Sequence, residues 1–314
     1  METRQIGTLQ VSAVGLGCNN FGWRIDAAAT AAVVQAALDA GINFFDTADI
    51  YGGGQSEEFL GRALGRRRDE VLIATKFGMR MDEQRRGARP EYVRQAVKDS
   101  LRRLGTDRID LYQLHQPDPQ TPVAETLGAL DELVRAGKVR EIGCSNFSEE
   151  QLRAAGAAVR EGAARFAGVQ NEYSLVHREP EAGVIPECVR AGIAFIPYFP
   201  LANGLLTGKY RRGQPHPEGS RAQAGFGPKV FTDRNLALVE SLARFAESRG
   251  HAMLELAVSW LAVQPAVASV IAGAKTPEQV KANASAASWR LSDADLEGIE
   301  AILSQVTAHG SVAT

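Results

Sequence analysis

Four polar residues follow predicted buried strands, and their types suit proton transfer to an oxygen. Asp46 and Tyr51 follow the second predicted strand, Lys76 ends the third and His115 ends the fourth. A phenol has a pKa of about 10, and a nearby ammonium such as Lys76 is expected to lower the pKa of Tyr51. Asp46 would keep Lys76 charged and oriented, and His115 would hydrogen-bond a carbonyl oxygen or join the proton relay. Such a set suits an oxygen that becomes negative when hydride adds to a carbonyl carbon.

Each of these residues also has an ordinary structural explanation. A single Lys, Asp or His at a strand end is at least as often a cap, an ion pair or a satisfied histidine. Four such residues on three adjacent strands favour one shared site, because the carboxyl ends of parallel barrel strands converge on one mouth.

Eight short apolar runs alternate with longer stretches whose apolar residues lie three and four apart, which predicts a βαβα order. The predicted strands are Ala13–Leu16, Asn43–Asp46, Val71–Lys76, Ile109–His115, Val139–Ser145, Gly168–Asn171, Ala194–Tyr198 and Val267–Ile271. Eight parallel strands either close into a barrel or form a doubly wound open sheet, and the pattern alone leaves both possible.

The predicted helices have one apolar face each and end at glycines. After Pro90 and Pro122 the apolar residues form single stripes, and a glycine with positive φ is expected just after several helices. The stripes are Val93, Val97, Leu101 and Leu104, then Val123, Leu127, Leu130 and Val134, and the glycines are Gly41, Gly105, Gly137 and Gly192. No linker or repeat divides residues 1–314, so we expect one domain with a long loop at about 207–232 and a short C-terminal tail.

The composition excludes several classes of partner. The chain has 314 residues, 35 basic and 37 acidic, and a net charge of -2, so it offers no basic face for nucleic acid. No apolar run approaches the roughly 20 residues of a membrane span, and the N-terminus lacks a signal-peptide core, which predicts a cytoplasmic protein. The three cysteines are far apart and the five histidines dispersed, so the spacing predicts free thiols and no metal site.

Two segments are similar to nucleotide-binding motifs, but neither matches its motif. Residues 15–20 read GLGCNN and have Asn20 where a dinucleotide fingerprint needs its third glycine. Residues 204–210 read GLLTGKY, one spacer short of a phosphate loop, with Tyr210 in place of Ser or Thr.

The chain resembles the aldo-keto reductase family over nearly its whole length. Three long segments carry the resemblance in the expected order. Residues 43–52 read NFFDTADIYG and continue as SEEFLG at 56–61, residues 104–115 read LGTDRIDLYQLH, and residues 137–147 read GKVREIGCSNF.

The resemblance implies a single (β/α)8 TIM barrel, with extra helices near the C-terminus, that binds NADP(H) without a Rossmann domain. It assigns Tyr51 as the acid, Lys76 and Asp46 as its tuning pair, and His115 as the partner that orients the carbonyl. The cofactor contacts that it implies are Ser145, Asn146, Gln170, Tyr198, Pro200, Leu201, Gly204, Gly273, Lys275, Gln279 and Asn283.

Two of these assignments have alternatives. Residues 273–283 read GAKTPEQVKAN and resemble the segment for the adenosine half, where Lys275 would favour the 2′-phosphate of NADP; the alternative is a solvated helix cap. Tyr198 would stack on the nicotinamide, or else it is a core strand residue. Phe199 departs from the serine that is usual in the family, which removes a hydroxyl contact but leaves a backbone contact.

The substrate pocket is predicted from aromatic residues after the first and third strands, chiefly Phe21, Trp23 and Phe77. Such walls favour aromatic or aliphatic aldehydes and ketones over sugars or charged acids.

These features predict an NADPH-dependent carbonyl reductase that acts on a small molecule, as a monomer or a weak homo-oligomer. The alternative is a cofactor-binding redox sensor, similar to the channel β subunits of the same family, with slow turnover. A barrel with another chemistry, such as an isomerase or lyase, remains a third possibility.

Overall fold

The structure is a computed structural model that describes residues 1–225, 227 and 229–309, with side chains up to residue 304. The predicted C-terminal tail at 310–314 lies outside the described residues, as do Phe226 and Pro228 of the predicted long loop.

Ten strands occur in the described chain, and eight of them form a parallel sheet. The strands are β1 (Thr3–Ile6), β2 (Leu9–Ser12), β3 (Val14–Gly17), β4 (Phe44–Asp46), β5 (Leu72–Phe77), β6 (Ile109–Leu114), β7 (Val139–Ser145), β8 (Phe166–Glu172), β9 (Ala194–Tyr198) and β10 (Val270–Gly273). The sheet order is β10-β3-β4-β5-β6-β7-β8-β9.

The sheet closes into a barrel at the segment before β10. Phe195 of β9 forms a parallel bridge with Val267, and its amide donates to the oxygen of Ala266 at 2.7 Å. The same segment runs on into β10, which pairs with β3. The (β/α)8 barrel is therefore confirmed over the open sheet, and the eighth strand lies about three residues later than predicted.

The helices cover the barrel, and their predicted faces are the buried ones. The helices are α1 (Ala27–Asp39), α2 (Gln55–Leu64), α3 (Pro90–Leu104), α4 (Val123–Arg135), α5 (Glu149–Ala158), α6 (Val184–Ala191), α7 (Asp233–Ser248), α8 (Met253–Ala262), α9 (Pro277–Ser285) and α10 (Asp293–His309). In α3, Val93, Val97 and Leu104 are buried, and Gly105 ends the helix with φ of 63°. The predicted extra C-terminal helices are present, and the described residues between 208 and 232 contain neither helix nor strand.

The N-terminal hairpin of β1 and β2 was not predicted. Its antiparallel strands place Ile6, Leu9 and Val11 in one buried cluster with inward residues of the barrel strands, including Phe44 and Leu111. The hairpin therefore fills one end of the barrel, away from the strand ends that carry the polar residues.

A close contact between α2 and α3 fixes the helix that follows the Tyr51 loop. A Cβ on Gly61 would lie 2.7 Å from the carbonyl carbon of Leu104 and would overlap its oxygen. In α5, by contrast, a Cβ on Gly156 would meet nothing within 4 Å.

These two glycines make a matched test of the packing. Gly61→Ala should lower the free energy of unfolding by about 1–3 kcal/mol because the helices must separate. Gly156→Ala should raise it by up to about 1 kcal/mol, since alanine is the better helix former. Urea unfolding measures both, and a shift of the same sign in the two variants would contradict the α2–α3 contact.

Candidate active site

A buried ion pair joins the ends of β4 and β5. The Nζ of Lys76 lies 2.6 Å from Oδ2 of Asp46 and donates a second hydrogen bond to the oxygen of Thr47 at 2.9 Å. The side chain of Lys76 has no solvent exposure, and Asp46 is 3% exposed. Asp46 raises the pKa of Lys76 above its usual value, against burial, which alone would lower it. Lys76 is therefore a fixed cation.

The second oxygen of Asp46 is held by two amides. Gln170 donates its Nε2 to Oδ1 at 2.9 Å, and Gln113 of β6 donates to the same atom at 3.4 Å. The register aligns Lys76 with Gln113 on the neighbouring strand. Sequence reasoning missed Gln113, although its place two residues before His115, with the same side-chain direction along the strand, was a usable signal.

Tyr51 reaches this pair from a short 3-10 turn at Tyr51–Gly54. Gly52 and Gly53 in the turn have φ of 58° and 66°, and a Cβ on Gly52 would come within 2.9 Å of the oxygen of Phe21. The Nζ of Lys76 lies 5.3 Å from the centre of the phenol ring, and its charge acts on the phenol.

The expected acidification of Tyr51 is wrong for this structure. Burial raises the pKa of the phenol above 10, and Lys76 offsets only part of that effect, while Asp46 adds to the rise. Removal from water penalises the phenolate more than one nearby ammonium stabilises it. Lys76 therefore limits the cost of forming the phenolate without making the phenol unusually acidic.

His115 lies against Tyr51 as a neutral imidazole. The two rings meet edge to face with centroids 5.8 Å apart, and His115 is 7% exposed. Burial, with a smaller contribution from Lys76, lowers the pKa of His115 to about 3. Its Nδ1 is buried and has no hydrogen-bond partner among the described residues.

These groups lie at one end of a cavity of about 690 Å³. Asp46, Tyr51 and His115 line it, and Lys76 lies beneath the surface. All the predicted cofactor residues line the same cavity, namely Ser145, Asn146, Gln170, Tyr198, Pro200, Leu201, Gly204, Gly273, Lys275, Gln279 and Asn283.

Several polar side chains of the cavity wall are hydrogen-bonded to one another and to the backbone. Ser145 donates its hydroxyl to the oxygen of Gln170 at 2.7 Å, and Asn146 donates Nδ2 to the oxygen of His115 at 3.0 Å. Tyr198 donates its hydroxyl to Oδ1 of Asn146 at 2.9 Å. Tyr198 is partly exposed to the cavity, so it is not the core residue that the alternative proposed.

Three of the four non-glycine residues with positive φ in the described chain line the cavity. In the described chain, the non-glycine residues with positive φ are Asn146, Phe199, Ala202 and Asn203. Residues forced into this region are typical of sites where backbone groups must face a ligand.

The other end of the cavity is cationic. Arg24, Lys209, Arg221 and Lys275 all line it. Burial and then the nearby cations lower the pKa of Lys209. Sequence reasoning found only Lys275, because Lys209 and Arg221 belong to the long loop and its approach, which only the fold brings to the cavity.

Comparison with known proteins agrees with this geometry. The family model described as "Aldo/keto reductase family" matches residues 13–304. This chain belongs to the aldo-keto reductase family. Its eight-stranded barrel is therefore that of an oxidoreductase family.

Individual relatives cover nearly the whole chain. Aldo-keto reductase YhdN of Bacillus subtilis is 36% identical over 94% of this chain and 91% of its own length. The aldo-keto reductase yakc of Schizosaccharomyces pombe, whose name specifies NADP(+), is 36% identical over 95% of this chain and 90% of its own length. The structure of a glycerol dehydrogenase from Gluconobacter oxydans is similar with a TM-score of 0.85 and 33% identity, covering 97% of this chain and 95% of that one.

The predicted substrate walls of this aldo-keto reductase are largely wrong. Phe21 and Phe77 have no exposure and lie in the core, where Phe77 stacks on Tyr112 at 4.7 Å. Trp23 is 55% exposed and is not among the residues that line the cavity, although its neighbour Arg24 is. An aromatic residue after a strand can turn inward, outward or into the core, and its sequence position alone does not decide which.

No helix in the described part of the chain is long and apolar enough to cross a membrane. Among the described residues, no cluster of His, Cys, Asp or Glu is suited to hold a metal ion.

The neutral state of His115 is directly measurable. Nitrogen-15 NMR should show the neutral imidazole of His115 from pH 8 down to pH 5, because its pKa lies at about 3. In urea-unfolded protein the same residue should titrate near pH 6.5. Since the unfolded chain then binds more protons between these two values, His115 should make stability fall as the pH falls from 6.5 towards 3. A midpoint above 6 in the folded protein would contradict its burial.

Proposed function

We propose that this aldo-keto reductase reduces an aldehyde or ketone with NADPH, and that Tyr51 donates the proton. The observation that carries the proposal is the phenol of Tyr51 held over the buried Asp46–Lys76 pair, at the floor of a large cavity with a cationic far end.

The residues along the cavity fit a dinucleotide. Ser145, Asn146 and Gln170 present hydroxyl and amide groups beside the partly exposed ring of Tyr198, which suits a flat ring with a carboxamide. The cavity of about 690 Å³ extends from there to the four cations, so one end accepts an aromatic ring and the other accepts phosphates.

We base the preference for NADP over NAD on the cationic end of the cavity. The backbone N–H of Lys275 is bonded to Oε1 of Gln279 at 2.8 Å, and its Nζ contacts the oxygen of Gly219 at 3.3 Å in the long loop. Lys275 thus stands between the start of α9 and the loop, where an ammonium suits a phosphate monoester. The NADP(+) in the name of the yeast relative supports the same choice.

Proton transfer is assigned to Tyr51 because His115 is unsuited to it. NADPH, when bound, supplies the hydride to the carbonyl carbon. A His115 that stays neutral at pH 7 has one N–H with which to hydrogen-bond the carbonyl oxygen, but it is not a cationic acid. Tyr51 then gives its proton to that oxygen, and Lys76 stabilises the phenolate that remains.

The substrate is proposed only as a small aldehyde or ketone. Met79, Gln116 and Tyr198 line the cavity with Tyr51 and His115, which gives a mixed apolar and polar wall. Phe21 and Phe77 lie in the core and do not form the walls of the pocket. They therefore give no reason to prefer an aromatic substrate.

Turnover distinguishes a reductase from the alternative function, a cofactor-binding redox sensor. A sensor would bind NADPH and show negligible oxidation of it across a panel of aldehydes and ketones. No described feature of the chain favours that alternative over catalysis.

Tyr51→Phe tests the proton donor. The variant should lose about 100- to 10,000-fold in kcat for NADPH-dependent carbonyl reduction, since a positioned acid contributes that much, while NADPH binds as before. Tyr112→Phe is the matched control, because it removes a buried phenol hydroxyl that has no partner and does not line the cavity. Similar kcat in Tyr51→Phe and wild type would remove Tyr51 from the reaction.

Lys275→Gln tests the cofactor preference. NADPH should bind at least about tenfold more weakly, because a charge-assisted contact is worth about 1.5–3 kcal/mol. NADH, which lacks the 2′-phosphate, should be affected little. Lys281 lies in α9, the helix that follows Lys275; it is exposed and does not line the cavity, so Lys281→Gln should change neither affinity. Equal losses for NADPH and NADH in Lys275→Gln would place Lys275 away from the 2′-phosphate.

A further inference from the structure

A second cavity lies behind the Tyr51 loop and shares no residue with the first. It measures about 460 Å³ and is lined by Gly53, Glu58, Arg62, Arg85, Arg102 and Arg103. Four guanidinium groups therefore face one concave space that contains a single carboxylate.

The carboxylates that pair with these arginines mostly stand outside the cavity. Arg85 bonds to Asp82, Arg102 to Asp99 and Arg103 to Glu57, and none of these three acids lines the cavity. Glu58 does line it, but its contact with Arg62 is 3.4 Å long and both side chains are about half exposed or more, so it neutralises little.

Many N–H groups in the cavity remain unused. Each of the four arginines leaves its Nη1 without an acceptor among the described residues, and Arg85 leaves Nη2 as well. Arg85 and Arg103 line the same cavity. The hydrogen bond to Asp82 raises the pKa of Arg85, and the charge of Arg103 acts against this larger effect to lower that pKa.

The cavity is built partly on rigid elements and partly on a loop. Arg62 belongs to α2, and Arg102 and Arg103 belong to the last turn of α3, so three of the four arginines extend from packed helices. A Cβ on Gly54 would lie 2.9 Å from the Cδ of Arg103, so the side chain of Arg103 packs directly under the Tyr51 loop.

We propose that this arginine cavity binds a small phosphate-bearing anion at a site separate from the cofactor cavity. Guanidinium groups pair with phosphate oxygens through two parallel hydrogen bonds, and the unused Nη groups supply these donors from three directions. The size of the cavity matches a small-molecule site.

An anion in this cavity would contact both segments that border the active site. Gly53 lies in the same turn as Tyr51, and Arg85 lies in the loop that begins with Met79 at the main cavity. Binding would therefore hold these two segments against α2 and α3.

The test uses the full chain and titrates inorganic pyrophosphate by calorimetry in a low-salt buffer free of phosphate. Arg62→Gln/Arg102→Gln should weaken one class of pyrophosphate site at least tenfold, and Lys275→Gln should leave that class unchanged. Arg94→Gln/Arg135→Gln is the matched control, since it also removes two arginines that are each paired with one carboxylate, but neither arginine lines the cavity. Pyrophosphate should shift the backbone amide of Gly53 in NMR spectra of both the wild type and Lys275→Gln.

Three results would overturn the proposal. The first is pyrophosphate binding that is lost with Lys275→Gln alone, which would place all of it in the cofactor cavity. The second is equal weakening in the Arg62/Arg102 and Arg94/Arg135 double variants, which would show nonspecific attraction. The third is citrate binding as tightly as pyrophosphate, which would show that the cavity does not select phosphate. Thermal unfolding of the variants checks that they fold, as expected for arginines that are 66% and 73% exposed.

Discussion

A lysine with no solvent exposure must have a partner, and the whole site is arranged around that requirement. Removing one member of a buried ion pair typically costs about 3–5 kcal/mol, because the other charge is left without compensation. Lys76 meets the requirement with Asp46 and the oxygen of Thr47, and Asp46 in turn is held by Gln170 and Gln113. Four strands, β4, β5, β6 and β8, thus contribute to one charge pair, which only a closed barrel brings together.

The same dry environment decides the roles of the neighbouring groups. Burial raises the pKa of Tyr51 and lowers that of His115, so both groups stay uncharged at neutral pH while Lys76 stays charged. A neutral phenol beside a fixed cation is poised to give up its proton only when a negative oxygen forms next to it. In the mechanism that we propose, the catalytic advantage comes from stabilising the product of proton transfer, and it does not need an acidic phenol at rest.

The sequence predicts the strands and the polar residues at their ends well, because hydrophobic periodicity is strong in a parallel barrel whose helices each have one buried face. The sequence predicts the positions of side chains and short strands less well where they depend on long-range packing. The hairpin of β1 and β2 was missed because β1 reads TRQI and has a single apolar residue, although Gly7-Thr8 between Ile6 and Leu9 is a turn signal. Arg221 and Lys209 were missed because their place at the cavity depends on the path of a long irregular loop, and the orientation of Phe21 and Phe77 depends on the core around them. The raised pKa of Tyr51 reflects desolvation, which residue types alone do not reveal.

A double-mutant cycle on Asp46 and Lys76, read out as the rate of NADPH-dependent carbonyl reduction, tests the central claim most directly. If Asp46 acts through Lys76, then Asp46→Asn combined with Lys76→Met should be no slower than Lys76→Met alone, because the carboxylate has nothing left to orient. If the two losses instead multiply, Asp46 and Lys76 act independently, and the buried pair is not the unit on which Tyr51 depends.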